Sequence, residues 1–302
     1  MIGVDWGTSS FRAWRIGADG SIGGRVTAPR GILTVEAGGF EAVLRELIGP
    51  WLEKGEETVL ICGMAGSRQG WKEAPYLACP ANAAALASAL TPVALTGHRC
   101  FLVPGLSDRD AQGVPDVMRG EETKILGLLD RLPAGDSVVL SPGSHSKWAM
   151  LRDGTVLSFL TQFTGEAFAA LSTHTILART LDAAAPADWA AFDEGLTRAR
   201  QSGGLLHHLF GMRARGLFGE LPDAAAASYL SGLLMGHEVA ATLPEGTTHV
   251  FLVGDGGLMA RYARALAALG VTTTDVPEEA AAAGLWRIGQ SLAGPSSTET
   301  TR

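Results

Sequence analysis

With 302 residues, 46% of them hydrophobic and 18% charged, the chain has material for one large domain or two ordinary ones, with ample core in either case. A formal charge of −7 and a pI near 5.5 exclude the broad basic face that nucleic acids and anionic membranes require, so neither is expected as a partner. No apolar run reaches membrane-spanning length and no signal peptide is expected. The three cysteines, Cys62, Cys79 and Cys100, lack metal spacing and suit a reduced, cytoplasmic compartment.

The chain opens on an apolar strand, Ile2 to Trp6. Residues 11–16 alternate with period two, and "ADG" at 18–20 predicts a hairpin turn into a third strand near 22–28. Phe40, Val43, Leu44, Leu47, Ile48 and Trp51 share one face of a predicted helix over about 38–54. "TVLICGM" (58–64) reads as a buried strand, followed by an Ala-rich helix near 81–90 and a strand at 100–105. The second half begins on the same plan: residues 137–159 read strand, Gly-Ser turn, strand, Asp-Gly turn, strand, so that Gly143-Ser144 and Asp153-Gly154 echo Gly7-Thr8 and Asp19-Gly20. A strand at 249–257 enters a helix at 258–269, and a last strand–helix pair ends near Gln290. Between these parts, roughly 163–243 reads as a helical, Ala- and Leu-rich insertion, while the polar tail reads as disordered. Such an internal repeat predicts two related α/β domains, each with a glycine turn fit for phosphate.

Four segments carry candidate chemistry. In Asp5-Trp6-Gly7-Thr8-Ser9-Ser10, a glycine turn with successive amides and hydroxyls suits phosphate oxygens, and Asp5 at the strand end suits Mg²⁺ held through water. Arg12 adds a cation on the next strand; the same pattern also serves an ordinary hairpin. The second turn, Gly143-Ser144-His145, is followed by Lys147, one of only four lysines, placing donors where phosphate charge would lie. Gly254-Asp255-Gly256-Gly257 joins a strand to a helix and allows close approach by a flat ring or ribose, although the GxGxxG spacing is absent. In "DVMRGEETKILG", Glu121 and Glu122 open a helix, either as complements to its dipole or with one of them as a proton acceptor, and Arg119 suits an anionic substrate. The loop carrying Arg68, Trp71, Lys72 and Tyr76 suits a ligand pocket or a plain turn equally. Glu166 in "FTGE" is expected in a helix first turn, and His207, His208 and His237 as ordinary helix residues without metal partners.

The order of these segments resembles the actin/hexokinase/Hsp70 superfamily. More closely, "DWGTSSFRAW", "GMAGSRQGWKEAPYL", "VMRGEETKILG" and "PGSHSKW" resemble the 2-dehydro-3-deoxygalactonokinase family, from Ile2 to about Gln290. The resemblance implies duplicated ribonuclease H-like (actin-like ATPase) α/β domains, with mixed five-stranded sheets flanking a nucleotide cleft. It places a substrate-side lobe at 1–118, a nucleotide-side lobe at 119–290 containing the insertion, and a tail at 291–302. It implies ATP and Mg²⁺ as cofactors, and transfer of phosphate to the 6-hydroxyl of 2-dehydro-3-deoxy-D-galactonate, a small sugar acid; the sequence leaves open whether the protein is a homo-oligomer. Asp5 would organise the metal, Gly7 to Ser9 with Arg12 and Gly143 to His145 would flank the phosphates, and Gly254 to Gly257 would face adenosine. Glu121 would be the general base where the wider superfamily has Asp, with Glu122 and Asp116 as alternatives. Arg119, Arg68, Lys72 and Lys147 are candidate partners for the substrate carboxylate, beside Trp71 and Tyr76. The alternatives are a kinase of another sugar or sugar acid, and an ATP-switched sensor.

Overall fold

Ile2, Val4 and Trp6 alternate with Gly3 and Asp5, and this period of two divides the first strand between two faces. The computed structural model describes residues 1–254, 256–276 and 279–292. In it, β1 (Ile2–Trp6), β2 (Phe11–Ile16) and β3 (Ile22–Ala28) form an antiparallel meander. There follow α1 (Phe40–Leu52), β4 (Thr58–Gly63), β5 (Leu77–Ala78), α2 (Ala83–Ser88), β6 (Thr91–Val93), β7 (Arg99–Leu102), β8 (Leu106–Arg109), β9 (Pro115–Met118) and α3 (Glu121–Leu126). A second meander, β10 (Asp136–Ser141), β11 (Ser146–Arg152) and β12 (Thr155–Gln162), leads into α4 (Thr164–His174), α5 (Trp189–Ala199), α6 (Gly204–Leu217) and α7 (Asp223–Thr242). β13 (His249–Val253), α8 (Gly256–Ala267), β14 (Thr272–Val276) and α9 (Ala280–Leu292) complete the described chain.

The strand orders are β3-β2-β1-β4-β7-β6 and β12-β11-β10-β13-β14. In both sheets the third, second and first strands of a meander are followed by later strands, added in parallel where β1 meets β4, β4 meets β7, and β13 meets β14. The fold is thus the duplicated mixed-sheet α/β architecture expected from the repeated turns. One detail differs: the first sheet has six strands, because the short β6 pairs antiparallel with β7 at its edge. A small sheet, β5-β8-β9, was also not legible, since "LSDR" and "PDVM" carry too few alternating apolar residues to signal a strand.

The described residues divide into two compact units: 1–137, 149–159 and 279–292 form one, and 138–148, 160–254 and 256–276 the other. This differs from an expected boundary at 118/119. The tip of the β11–β12 hairpin joins the first unit because Ala81 and Val156 exchange backbone hydrogen bonds, both of 2.9 Å, and Asp108 accepts from the Phe159 amide. α9 also joins it: Leu285 packs over Gly3, and Gly284 and Gly127 carry no side chain where α9 and α3 touch, backbone against Thr123 and Ala280. Ser291 and Leu292, expected in the tail, belong to α9.

In the first unit, Ile2, Val4, Trp6, Phe11 and Ala13 pack with Phe40, Val43, Leu44 and Ile48 of α1 in one core. In the second, the segment from α4 to α7 has its own core, in which α7 is buried nearly all round by α5 and α6. No helix among the described residues is long and apolar enough to cross a membrane.

Candidate active site

The alternation of β1 that sends Val4 and Trp6 into the core leaves Asp5 on the other face, in cross-strand register with Arg12 and beside Cys62 of β4. Asp5 is buried, and its Oδ2 lies 3.7 Å from Lys124 Nζ, an ion pair in which the Asp5 charge raises the Lys124 pKa against the effect of burial. The turn after β1 closes with Gly7 N donating to Ser10 O at 2.9 Å. It is buttressed by Ile32 N on Gly7 O and Leu33 N on Thr8 O, which leaves Thr8 and Ser9 exposed.

Two glycines bring α3 to this point. Gly63, at the end of β4 with φ of 87°, leaves space where a Cβ would meet Trp6 O at 2.9 Å and Asp5 Oδ1 at 3.1 Å. Gly120, with φ of 102°, sits where a Cβ would come 3.1 Å from Gly63 Cα. Only glycine adopts both backbones and permits both approaches. The α3 start is therefore pressed toward the carboxylate of β1.

Its two glutamates then part. Glu121 is half-buried and its Oε2 accepts from the Arg119 amide at 3.0 Å. Glu122 is fully buried, accepting from Gly120 N at 2.6 Å and Thr123 Oγ1 at 2.8 Å. Asp116, the third candidate, lies on β9 opposite Asp108 and accepts from the Val117 amide. Burial first, and then the Glu121 charge, push the Glu122 carboxyl up to about 7 from its ordinary 4.5. A carboxyl raised in the folded state binds more protons there than when unfolded, so its support is present below about pH 4.5 and is lost as pH rises through about 7. Glu122→Gln mimics the neutral acid. Chemical denaturation should find it close to wild type near pH 5 and more stable near pH 8, by on the order of 1–3 kcal/mol.

Arg119 has a different character. Nη2 donates to Ala74 O at 2.7 Å and the guanidinium lies 4.4 Å over the Tyr76 ring, but Nε and Nη1 are buried without a hydrogen-bond partner among the described residues. An orphaned guanidinium edge is costly and favours an anion. The other residues of that loop are engaged elsewhere: Arg68 pairs with Glu73 on the surface, Lys72 donates to Pro92 O, and Trp71 stacks on Phe40. Of the four candidate side chains of this loop, that of Tyr76 is the one the Arg119 guanidinium lies over.

In the second unit, the Gly143-Ser144 turn lines a cavity of about 310 Å³ with Thr164, Gly165 and Phe168 of α4, Ser231, Leu234 and Met235 of α7, and Leu258 and Arg261 of α8. Its wall is mostly apolar, and Gly165 leaves room for the Gly143 carbonyl. Gly254 packs near Pro142, and Gly256 and Gly257 open α8; Asp255 lies outside the described residues. His145 meets Glu166 at 2.5 Å and stacks on Phe163. Lys147 is buried, its Nζ donating to Thr161 Oγ1 at 2.9 Å. Sequence reading did not identify Lys124, although lysines are scarce in this Arg-rich chain, nor the α4 and α7 lining, whose apolar positions look like ordinary core. His208 lies on α6 as a helix residue, and its Nδ1 stands 3.0 Å from Nε2 of His237 on α7.

Among the described residues no three His, Cys, Asp or Glu side chains gather as a metal cluster. Mg²⁺ nevertheless fits Asp5, because it retains waters and takes few protein carboxylates, with phosphate oxygens supplying the rest.

The sequence model of the 2-keto-3-deoxy-galactonokinase family matches residues 5–288. A relative from Rhizobium meliloti (strain 1021), named "Probable 2-dehydro-3-deoxygalactonokinase DgoK1", is 41% identical over 288 residues, covering 93% of this chain and 94% of its own. The crystal structure of a Sinorhizobium meliloti protein described as a 2-dehydro-3-deoxygalactonokinase superposes with a TM-score of 0.89 at 40% identity, covering 96% and 98% of the two chains. An activator of 2-hydroxyisocaproyl-CoA dehydratase from Clostridium difficile, with bound ADPNP, shares the fold alone, with a TM-score of 0.50 at 11% identity, covering 100% and 99%. By the match over residues 5–288 and the identity to its relatives, this chain belongs to the 2-keto-3-deoxy-galactonokinase family.

Proposed function

We propose that the protein transfers the γ-phosphoryl group of ATP to the 6-hydroxyl of 2-dehydro-3-deoxy-D-galactonate, giving the 6-phosphate for galactonate catabolism. Beyond family membership, the observation that carries this reading is the α3 start, where Lys124 pairs with a buried Asp5 and Glu121 follows an Arg119 whose buried Nε and Nη1 lack partners among the described residues. A neutral hexose has no use for that guanidinium edge; a sugar acid does.

In this reading the first unit handles the acceptor. Arg119, backed by Tyr76, holds the substrate carboxylate, and Glu121 accepts the proton of the attacking hydroxyl. Glu122 serves as the buried support of the Gly120 turn. The second unit handles the nucleotide: the apolar wall of the cavity takes the adenine, and Gly143, Ser144 and His145 donate toward phosphate. Thr8, Ser9, Arg12 and Lys147 are further donors for phosphate charge, and Gly254, Gly256 and Gly257 face the adenosine. Asp5 would hold Mg²⁺, which supplies neutralisation of phosphate charge when bound. The three free cysteines suit a cytoplasmic enzyme.

The test is ADP release with Mg-ATP over a panel of 2-dehydro-3-deoxygalactonate, its gluconate epimer, galactonate, glucose and no acceptor. Turnover strongest with the first is the expected result. Turnover confined to glucose would overturn the acceptor assignment, and equal ADP release without acceptor would overturn the kinase reading.

A further inference from the structure

Glu238 lies on α7, beneath the cavity and outside its lining. Ser231, Leu234 and Met235, which do line it, stand seven, four and three residues earlier on the same helix, so Glu238 continues their face one turn farther on. It is only 3% exposed. A carboxyl group there needs several donors to offset its lost hydration, and it has them. Trp148 Nε1 donates to Oε1 at 2.7 Å, and Tyr262 OH donates to Oε2 at 2.6 Å. Ser146 Oγ and Tyr262 OH bond at 2.8 Å, and Thr164 lies close enough to the carboxyl group to favour its charged form.

The donors come from the elements that form the other walls. Ser146 and Trp148 begin β11, directly after the Gly143-Ser144 turn; Thr164 lines the cavity itself; Tyr262 is one turn beyond Leu258 and next to Arg261 on α8. One buried side chain therefore ties β11 and α8 to α7, with Thr164 of α4 beside it. A core that needed only filling would be served equally well by leucine, without the cost of burying a polar group.

We propose that Glu238 is a positioning residue that holds the four walls of this cavity in the arrangement that binds the nucleotide. The proposal rests on reading the cavity as the nucleotide site. It assigns to a residue that touches no ligand a control over nucleotide affinity that is separate from sugar-acid affinity.

Four variants test it, with ADP binding measured by titration calorimetry on protein shown by circular dichroism to be folded, alongside KM for ATP and for the sugar acid. Glu238→Leu should weaken ADP binding at least about tenfold and raise the KM for ATP in step, with the sugar-acid KM changing less than about twofold. Glu238→Gln should restore most of the affinity, because the Tyr262 hydroxyl can reverse and accept from the amide. Tyr262→Phe, which removes one hydroxyl outside the lining and keeps the shape, should weaken ADP binding in the same direction and decides the matter if Glu238→Leu does not fold. Leu234→Trp fills the cavity: unchanged ADP affinity in this variant would overturn the nucleotide reading of the cavity and the proposal with it. If Leu234→Trp abolishes binding while folded Glu238→Leu or Tyr262→Phe binds ADP like wild type, the cavity reading stands and the positioning role is overturned. A fall in melting temperature without a change in nucleotide affinity would likewise overturn it, leaving Glu238 a merely structural residue.

Discussion

Glu121→Gln is expected to lower kcat by roughly 10²–10⁴, the range that a positioned general base contributes. The substitution is nearly isosteric, and a glutamine oxygen can still accept from the Arg119 amide as Glu121 Oε2 does at 3.0 Å, so the α3 start should keep its form. The loss should fall on kcat with the KM for ATP little changed, because the proton leaves the hydroxyl only as the phosphoryl group is transferred. The controls are its neighbours. Glu122→Gln should retain most of the rate, since that carboxyl group is fully buried and already engaged by Gly120 and Thr123. Asp116→Asn should also retain it. Steady-state kinetics of the three variants checks the assignment: a rate loss confined to Glu122→Gln or Asp116→Asn would transfer the role of base to that residue.

The second large effect is expected at Asp5. Asp5→Asn should cut kcat/KM by about 10²-fold or more, the scale of losing one preorganised charge contact to a transferring group. It should also move the rate dependence on free Mg²⁺ to higher concentration. The variant loses the partner of Lys124, whose Nζ lies 3.7 Å from Oδ2, so a modest fall in thermal stability should accompany it. Lys124→Met separates the two effects: it removes the ion pair but leaves the carboxylate, and should preserve the Mg²⁺ dependence. If both variants lose activity only in proportion to folded protein, and the Mg²⁺ dependence is unmoved, Asp5 is a structural residue.

What was legible in the sequence is local. The alternation of residues 11–16, the Asp-Gly turns and the periodic face of Phe40, Val43, Leu44 and Ile48 each report a backbone conformation that a short segment adopts by itself. The repeated turn-and-strand pattern at 137–159 announced the second sheet for the same reason, and the strand orders of the two sheets bear it out. The glycine turns, the acidic helix start and Arg119 were likewise visible as residue types suited to anion chemistry. Their conjunction was not. Asp5 meets Lys124 only because β4 places Gly63 between β1 and α3, and Glu122 differs from Glu121 only because one side of α3 is buried and the other is not.

The cavity in the second unit and the Glu238 network beneath it belong to the same class. Apart from the Gly143-Ser144 turn, their residues, spread as far as Tyr262, read in sequence as ordinary helix and strand interior. The sequence by itself determined which segments are strands, helices and glycine turns, and through their combined motifs the family. Tertiary structure decided which glutamate is buried, which cation partners Asp5, which arginine edge is buried without a hydrogen-bond partner among the described residues, and which side chains wall the cavity. The physical reason is range: backbone preference and amphipathic periodicity act within a few residues, whereas burial, charge pairing and hydrogen-bond satisfaction are fixed by neighbours that only the folded chain brings together.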